Sequence, residues 1–422
     1  MAGKQLNIGL LGCGTVGRGL MELLDKNRTL IRDRSGVELH ISQVLVRDLK
    51  KERPGVNNAL LTTCPQKVIE NGCDMVVELV GGIEPARSFI HRALAGRKHV
   101  VTANKALLAA DGFNLLRAAA LQNVRFGFEA SVCGGIPIVR ALRSGLVGNE
   151  IQSLSGILNG TCNYILTRMA DDGVEFTDAL QEAQVKGFAE ADPTLDVDGY
   201  DAAQKLKILA ELAFNGRLET KDIPVEGIRA ITAEDVRFAR EIGCVIRQVA
   251  MAEMSDQGLS LRVETVLLPH DHQLAAVRNE NNAVLVRGDA VGEMLFSGKG
   301  AGPLPSASAV LSDVVEIARH DGGFSPLVER TIQTVTPDRS SRYYLRFQVE
   351  EPSAIGPVTT ILERNRIAVA RAGAIWAKTP QGHNYVKILT HACPYSLLEK
   401  AVREISALDM VTGKSVMLRV AD

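Results

Sequence analysis

Residues 6–17 read Leu-Asn-Ile-Gly-Leu-Leu-Gly-Cys-Gly-Thr-Val-Gly, an apolar strand that passes directly into a glycine-rich turn and the start of a helix. Glycines in this GxGxxG pattern permit a tight turn and let a pyrophosphate approach the helix N-terminus, where free N–H groups favour an anion. A purely structural glycine turn is the alternative. The residues predicted to bind a dinucleotide here are Gly12, Gly14, Thr15, Val16 and Gly17.

Outward from this turn, the first 133 residues alternate short apolar runs with helical periodicity. Helices are predicted after Gly14, Pro85 and Lys105. The predicted strands are Leu6–Leu11, Ile41–Val46, Met75–Val80, His99–Thr102 and Val124–Phe128. Such alternation predicts an α/β fold whose first domain, residues 1–133, is a doubly wound parallel sheet of the Rossmann type.

The rhythm changes after Gly134, where mixed helices and strands predict an α+β domain over residues 134–320. Its last helix, near 304–320, would return to complete the first domain. A polar linker is predicted at 321–341. Residues 342–422 then follow the order β, α, β, β, α, β, the ferredoxin-like pattern.

Composition favours a small-molecule partner over nucleic acid or an anionic membrane, because 48 basic and 49 acidic residues leave a net charge of −1. No apolar run reaches the roughly 18 residues that span a bilayer, and no signal peptide is evident, so we expect a soluble cytoplasmic protein. The seven cysteines include no CxxC pair, which indicates free thiols. His270 and His272 lack a third metal ligand at suitable spacing.

Basic residues follow the second predicted strand, where an acidic residue would bind the 2′-hydroxyl of NAD. The chain there reads Val-Arg-Asp-Leu-Lys-Lys at 46–51, and Arg47 in this cluster suits the 2′-phosphate of NADP. Because Asp48 is acidic, NAD remains an alternative cofactor. The basic cluster is also explained by a solvated loop that carries charged residues without binding a cofactor.

Two further loops are expected at the carboxyl edge of the sheet, where α/β proteins bind ligands. The fourth strand ends at Thr102, which would contact the cofactor, and Lys105 would emerge beside the nicotinamide. A desolvated lysine there can act as a general acid toward a carbonyl oxygen, although an ordinary helix-start lysine fits the position equally. The loop 129–137 exposes carbonyls that would ligate a hard cation, or it simply turns the chain into the next domain.

Five carboxylates are interleaved with apolar residues between Lys186 and Lys205. Burying like charges costs several kcal/mol per ion unless each meets a cation or donor, so the stretch predicts a site for an ammonium-bearing guest. Asp201 and Lys205 share a helix face, a spacing for which an exposed ion pair is the common explanation. Upstream, the polar residues of 156–164 would offer donors to a carboxylate or cap a helix.

Five long motifs in order resemble the homoserine dehydrogenase family, in its monofunctional form with a C-terminal ACT domain. The motifs are VTANKAL at 101–107, EASVCGGIPI at 129–138, GILNGTCNYIL at 156–166, AEADPTLDVDGYDAAQK at 189–205 and GKGAGPLPSASAV at 298–310. The resemblance implies reduction of L-aspartate 4-semialdehyde to L-homoserine with NAD(P)H, on the route to threonine, methionine and isoleucine. No aspartokinase domain precedes the first strand, so a single activity is expected.

The resemblance also implies roles at the substrate. Glu190 would hold the substrate ammonium, while Asp196 and Asp201 would arrange the pocket. Lys105 and Lys205 are the candidates for giving the aldehyde oxygen its proton; Lys105 is favoured for the transfer and Lys205 for orienting the oxygen. Backbone at Gly160 and Thr161 would contact the substrate carboxylate or the nicotinamide carboxamide.

Further implied contacts concern the cofactor, an ion and the C-terminal domain. Gly302 would approach the cofactor, and a sodium-like monovalent cation would bind the backbone carbonyls of Glu129, Val132, Gly134 and Ile136. The ACT domain would bind threonine, although its first turn, Glu-Pro-Ser-Ala-Ile-Gly-Pro at 351–357, departs from the usual Asp-x-Pro-Gly-Val. A homodimer or homotetramer is expected. The alternatives are an amino-acid sensor with a vestigial dehydrogenase body and a dehydrogenase for another amino-acid alcohol or semialdehyde.

Overall fold

The computed structural model describes residues 4–320, 331–375 and 384–421. Its first unit is a six-stranded parallel sheet in the order β3-β2-β1-β4-β5-β6. The strands are β1 (Lys4–Leu11), β2 (Val37–Leu45), β3 (Leu61–Thr62), β4 (Met75–Glu78), β5 (His99–Thr102) and β6 (Phe126–Gly127). The helices are α1 (Thr15–Ser35), α2 (Pro65–Ile69), α3 (Ala86–Ala95) and α4 (Lys105–Leu121). This order confirms the predicted Rossmann-like sheet and places its switch point between β1 and β4, beside the glycine-rich turn.

The second unit carries five strands of a nine-stranded mixed sheet, whose order is β11-β10-β7-β8-β9-β17-β13-β15-β14. Those strands are β7 (Ile151–Ile157), β8 (Cys244–Ser255), β9 (Gly258–Pro269), β10 (Asn281–Gly288) and β11 (Gly292–Lys299). The helices are α5 (Ile138–Arg140), α6 (Gly160–Asp172), α7 (Phe176–Val185), α8 (Thr194–Val197), α9 (Tyr200–Ala213), α10 (Ala233–Glu241) and α11 (Pro303–Arg319).

Helix α11 returns to the first unit and packs along α1, where Gly19 lies so close that an added Cβ would stand 2.9 Å from the Pro303 carbonyl. Apolar side chains of both helices join the core beneath the parallel sheet. The loop before α11 therefore lies next to the glycine-rich turn.

The C-terminal strands extend the mixed sheet. They are β13 (Tyr343–Val349), β14 (Val369–Ile375), β15 (Asn384–Thr390) and β17 (Val416–Val420), with a small separate ladder of β12 (Ser340–Ser341) and β16 (Cys393–Pro394). Helices α12 (Ile355–Arg364) and α13 (Tyr395–Ser406) complete the β, α, β, β, α, β order. Strand β17 pairs antiparallel with β13 and parallel with β9, so the two units share one sheet. Part of the predicted linker, residues 321–330, lies outside the described residues.

Three elements of the middle unit, α8, α10 and β11, were absent from the sequence prediction. Helix α10 is short and polar, and it is stabilised by a capping box between Thr232 and Asp235. Strand β11 lies at the edge of the described sheet beside β10, and its residues are half-buried or exposed. Neither α10 nor β11 has the apolar run that marks a buried element. No helix of the described residues is long and apolar enough to cross a membrane.

Candidate active site

The glycine-rich turn has the close backbone approaches that its sequence requires. Gly12 has φ of 103°, and a Cβ there would lie 2.8 Å from the Leu79 carbonyl oxygen. A Cβ at Gly17 would lie 2.5 Å from the carbonyl oxygen of Gly12. At Gly14, which caps α1, an added Cβ would meet nothing within 4 Å. The N-terminus of α1 thus faces open space, as the diphosphate of a dinucleotide requires.

Arginine side chains lie near this turn or on the loop that follows β2. Arg47 follows β2 and is exposed. Arg53, which the sequence analysis did not single out, donates from Nη1 to the carbonyls of Asp48 (3.0 Å) and Lys51 (2.7 Å). Burial raises the pKa of the Cys13 thiol, whereas the charges of Arg53 and Arg18 oppose that rise. The turn therefore lies in a positive environment.

A buried carboxylate organises the carboxyl edge of the sheet. Glu78, the last residue of β4, accepts a hydrogen bond from the Thr102 hydroxyl (2.6 Å) and from the backbone N–H of Val80 (2.7 Å) and Gly81 (3.0 Å). Asn104 caps α4 and donates to the Gly82 carbonyl (2.7 Å). Thr102 is thus a support for the edge loops. The only sequence signal for Glu78 is a charge that ends an apolar strand.

Asp201 lies between Lys105 and Lys205 and is 3% exposed. Lys205 Nζ donates to Asp201 Oδ2 (2.7 Å) and to the Leu158 carbonyl (2.6 Å). Lys105, at the start of α4, forms an ion pair with the other oxygen of Asp201 and so joins the first unit to α9. Because Lys205 is only 11% exposed at its side chain, its pair with Asp201 is not the common exposed helical pair.

The three charges stabilise one another's ionised forms. Burial alone raises the pKa of the Asp201 carboxyl, but Lys205 and Lys105 outweigh it and hold that pKa well below its ordinary value. Burial lowers the pKa of Lys205, whereas Asp201 more than offsets the effect and leaves the pKa raised. Lys205 is therefore a fixed ammonium group at neutral pH, while Lys105, at 42% side-chain exposure, remains accessible.

Asn159 connects this cluster to Asp196. Its Nδ2 donates to Asp196 Oδ1 (2.7 Å) and Asp201 Oδ2 (2.8 Å), and its Oδ1 caps α6 by accepting from the Cys162 N–H (2.8 Å). The Thr161 hydroxyl donates to the Phe188 carbonyl (2.7 Å) and contacts Asp196 Oδ2 at 3.3 Å. Burial, then the charge of Asp201, raises the pKa of Asp196.

Gly160 begins α6 in close contact with a neighbouring strand, since an added Cβ would lie 2.7 Å from the Glu280 carbonyl oxygen. The polar stretch therefore both caps a helix and orders two carboxylates. The helix-cap interpretation is confirmed by the Asn159 cap, and the binding of a substrate carboxylate stays a prediction.

The other carboxylates of the acidic stretch lie apart from this cluster. Glu190 is exposed, and no described contact joins its carboxylate to Lys105 or Lys205. Asp192 accepts from the Thr194 N–H (3.1 Å), and Asp198 pairs with Arg229 (2.5 Å). The structure thus brings together Asp196 and Asp201 but not Glu190.

The predicted cation loop is fixed at both ends. The carboxylate of Glu129 accepts from the N–H groups of Val139 (2.8 Å) and Arg140 (2.9 Å), and its own N–H donates to Asp313 (2.7 Å). Cys133 and Gly134 have positive φ values of 55° and 50°. A Cβ at Gly134 would lie 2.6 Å from the Gly300 carbonyl oxygen. The loop therefore packs closely against the residues that precede α11.

Two of the four predicted ligand carbonyls already accept a backbone hydrogen bond. The Glu129 carbonyl accepts from Val132 (3.4 Å) and the Ile136 carbonyl from Ile138 (2.8 Å). Gly302, with φ of 122°, caps α11 behind this loop. Elsewhere, His272 Nδ1 accepts from the Leu274 N–H (3.1 Å), a capping role. Across the described residues, no three His, Cys, Asp or Glu side chains gather as metal ligands would.

Two family models match this chain: "Homoserine dehydrogenase, NAD binding domain" over residues 12–129 and "Homoserine dehydrogenase" over residues 137–315. A homoserine dehydrogenase of Neisseria gonorrhoeae is 39% identical over 434 residues, which cover 99% of each chain. Among solved structures, a homoserine dehydrogenase from Thiobacillus denitrificans is 40% identical, with a TM-score of 0.90 and complete coverage of both chains. A hyperthermophilic archaeal homoserine dehydrogenase in complex with NADPH is 26% identical, with a TM-score of 0.63 over 77% of this chain and 100% of that one.

Proposed function

The chain belongs to the homoserine dehydrogenase family of NAD(P)-dependent oxidoreductases, and from this premise we propose how its residues divide the reduction of L-aspartate 4-semialdehyde to L-homoserine. The observation that carries the proposal is the buried Asp201 carboxylate between Lys105 and Lys205. An aldehyde oxygen that gains negative charge needs a fixed positive neighbour and a proton donor. This cluster offers one of each.

The reduced nicotinamide, when bound, supplies the hydride. Lys205 orients the aldehyde oxygen, because Asp201 and the Leu158 carbonyl fix its ammonium group and the raised pKa keeps it charged. Lys105 gives the oxygen its proton, directly or through one water, since it is accessible and begins the helix that follows β5. Asp201 fixes the positions of both ammonium groups relative to each other.

Substrate recognition is assigned to the segments that flank this cluster. Glu190 binds the substrate ammonium as an exposed carboxylate in the same stretch as Asp196. Gly160 and Thr161, at the N-terminus of α6, contact the substrate carboxylate or the nicotinamide carboxamide, because free N–H groups there favour an anion. Asp196 shapes the pocket through Asn159.

NADP is the proposed preference, with NAD as the second possibility. Arg47 is exposed at the end of β2, and the archaeal relative described above is in complex with NADPH. Asp48, the residue that would favour NAD, has one carboxylate oxygen engaged by the Lys50 N–H (2.8 Å). The remaining cofactor contacts are assigned to the glycine-rich turn, Thr102 and Gly302.

A sodium-like cation is proposed at the carbonyls of Glu129, Val132, Gly134 and Ile136. Carbonyl oxygens suit a hard cation, and an oxygen that accepts one hydrogen bond keeps a second lone pair. The positive φ values at Cys133 and Gly134 fold these four residues into a tight turn. A bound cation would stiffen the loop between the cofactor domain and α5.

The C-terminal unit is proposed to be an ACT domain, with threonine as a candidate ligand and subunit assembly as a second role. Its element order and the strand order β17-β13-β15-β14 support the ACT assignment. A homodimer or homotetramer is supported by the face of β7 to β11 that the described chain covers only in part, with Leu274, Ala275 and Val277 packed on it. On that face, opposite α6, α9 and α10, Met251 and Leu285 are partly buried and Leu295 is 39% exposed.

The direct test is cofactor oxidation by the purified full chain with L-aspartate 4-semialdehyde, compared with the homologous semialdehyde one carbon longer. We expect turnover that prefers the shorter aldehyde and NADPH. Absence of turnover from about pH 6 to pH 9 would reject the proposed roles and favour an amino-acid sensor. Preference for the longer aldehyde would favour the reading as a dehydrogenase for a different amino-acid semialdehyde.

A further inference from the structure

Helix α8 carries Asp196 but is a single turn, so it has little stability of its own. Its carboxylate at Asp196 accepts from Asn159 (2.7 Å) and contacts the Thr161 hydroxyl (3.3 Å). Any shift of this turn would therefore move Asp196, one of the two carboxylates to which the Asn159 amide donates. Its position has to be set by contacts from elsewhere in the fold.

Those contacts come from residues 227–231, here called the bridging segment. The Ile228 N–H donates to the Val197 carbonyl (2.8 Å), and a Cβ at Gly227 would lie only 2.5 Å from the same oxygen. Arg229 holds both ends of the turn, because Nε pairs with Asp198 (2.5 Å) and Nη2 donates to the Thr194 hydroxyl (3.2 Å). The segment is thus a close-fitting support for α8.

The bridging segment is in turn held by the C-terminal unit. Arg346 of β13 donates to the Ala230 carbonyl (2.8 Å) and pairs with Asp235 (2.7 Å), which also accepts from the Tyr344 hydroxyl (2.7 Å). Arg346 has 5% side-chain exposure and Asp235 has none. An apolar core shared by α8, the bridging segment and the C-terminal strands encloses these contacts; it includes Val197, Ile228, Ile231, Tyr344 and Leu418.

We propose that Arg229 and Arg346 are positioning residues for semialdehyde binding, and that through them the C-terminal unit sets the geometry of the substrate pocket. Energetic coupling between distant sites is carried by chains of packed side chains and hydrogen bonds, and the measurement below tests whether this chain does so. Arg346 is one hydrogen bond from the bridging segment, which is one hydrogen bond from α8. The inference rests on the proposed assignment of Asp196 and Asn159 to that pocket.

The test compares Arg229→Ala with wild type in the full chain, by the KM for the semialdehyde, the Kd for NADPH and the thermal midpoint. Arg229 has 45% side-chain exposure, so its removal leaves the fold intact. We expect the KM to rise about fivefold, the size of a surface charge-pair loss, with the Kd for NADPH unchanged. Arg229→Lys restores the positive charge but not the several donors of the guanidinium group. Its KM should therefore lie between those of wild type and Arg229→Ala.

Matched variants separate positioning from stability. Arg364→Ala removes another surface pair, with Glu404 (2.7 Å), and leaves the KM at the wild-type value. Tyr344→Phe weakens the buried cluster but keeps the bond from Arg346 to Ala230, so it lowers the thermal midpoint without raising the KM. Arg346→Lys raises the KM, and its effect is not additive with Arg229→Ala because both act through one segment.

The outcomes are distinguished by Asp196→Asn, measured in parallel. A raised KM for Asp196→Asn with an unchanged KM for Arg229→Ala overturns this inference and leaves the pocket assignment standing. An unchanged KM for Asp196→Asn rejects the pocket assignment, and the inference fails with it. A parallel loss of NADPH affinity in Arg229→Ala would also overturn it, since that result indicates general loosening.

Discussion

Replacing Asp201 with asparagine removes the charge that holds two lysines while keeping nearly the same shape. Lys205 would be left as a buried ammonium group with the Leu158 carbonyl as its remaining described partner. Breaking a buried pair costs about 3 to 5 kcal/mol, and we expect about 3 because Lys105 is 42% exposed. Since the folded pKa of Asp201 is lowered, this stabilisation is present above the unfolded value of 3.8 and is lost as pH falls through the folded pKa.

The same substitution should alter the pH dependence of turnover. In the native protein Asp201 raises the pKa of Lys205 against the effect of burial, so its loss lowers that pKa. We expect kcat to fall about 10²-fold to 10³-fold near neutrality, the usual loss when a fixed group that stabilises developing charge is removed. We also expect the basic limb of the pH–rate profile to move to lower pH. Steady-state oxidation of NADPH across pH and urea unfolding near neutrality measure both effects.

Asp192→Asn is the matched control, because Asp192 lies in the same stretch, is exposed and accepts from the Thr194 N–H, a role that asparagine also fills. It should leave the rate profile and the free energy of unfolding unchanged. A kcat for Asp201→Asn within threefold of wild type, with an unmoved basic limb, would refute the reasoning.

Three further predictions concern the cofactor, a buried acid and the cation. Arg47→Ala should raise the KM for NADPH about tenfold and leave that for NADH nearly unchanged, and an equal change for both cofactors would reject the 2′-phosphate contact. Burial raises the pKa of Asp313 from 3.8 to about 7, so its contribution to stability is full below pH 3.8 and is lost as pH rises through 7. Asp313→Asn should therefore be more stable than wild type at alkaline pH, by at most about 4 kcal/mol. If thermal unfolding shows the same difference in stability between variant and wild type at acid and alkaline pH, this prediction is wrong. Sodium chloride should raise the thermal midpoint above that in tetramethylammonium chloride of equal ionic strength, and identical midpoints would argue against the cation site.

Much of the fold was predictable because its strands are apolar runs bounded by turn residues. Strand β5 has the predicted bounds, and the glycine-rich turn lies where its spacing required. Helix α10 was missed because it is held by a capping box and by contacts to a distant strand. Continuity of the mixed sheet was also not predictable, since the pairing of β17 with β9 joins strands far apart in the chain.

The central cluster was predictable in part. The motifs indicated Lys105, Asp201 and Lys205, but their spacing could not reveal that Asp201 is buried between lysines from two units. Glu78 and Arg229 were not predicted, because the contact of Glu78 with Thr102 spans 24 residues and that of Arg229 with Asp198 spans 31. A single sequence shows that such a residue is charged but does not show which residue it contacts.

Lys105, as the proton donor to the aldehyde oxygen, is the central residue of the proposed mechanism. The measurement is the turnover of Lys105→Ala with L-aspartate 4-semialdehyde and NADPH, together with the Kd of the variant for NADPH. The account predicts a kcat lower by about 10²-fold to 10⁴-fold, the usual contribution of a general acid, with cofactor binding retained. A kcat close to wild type would contradict it.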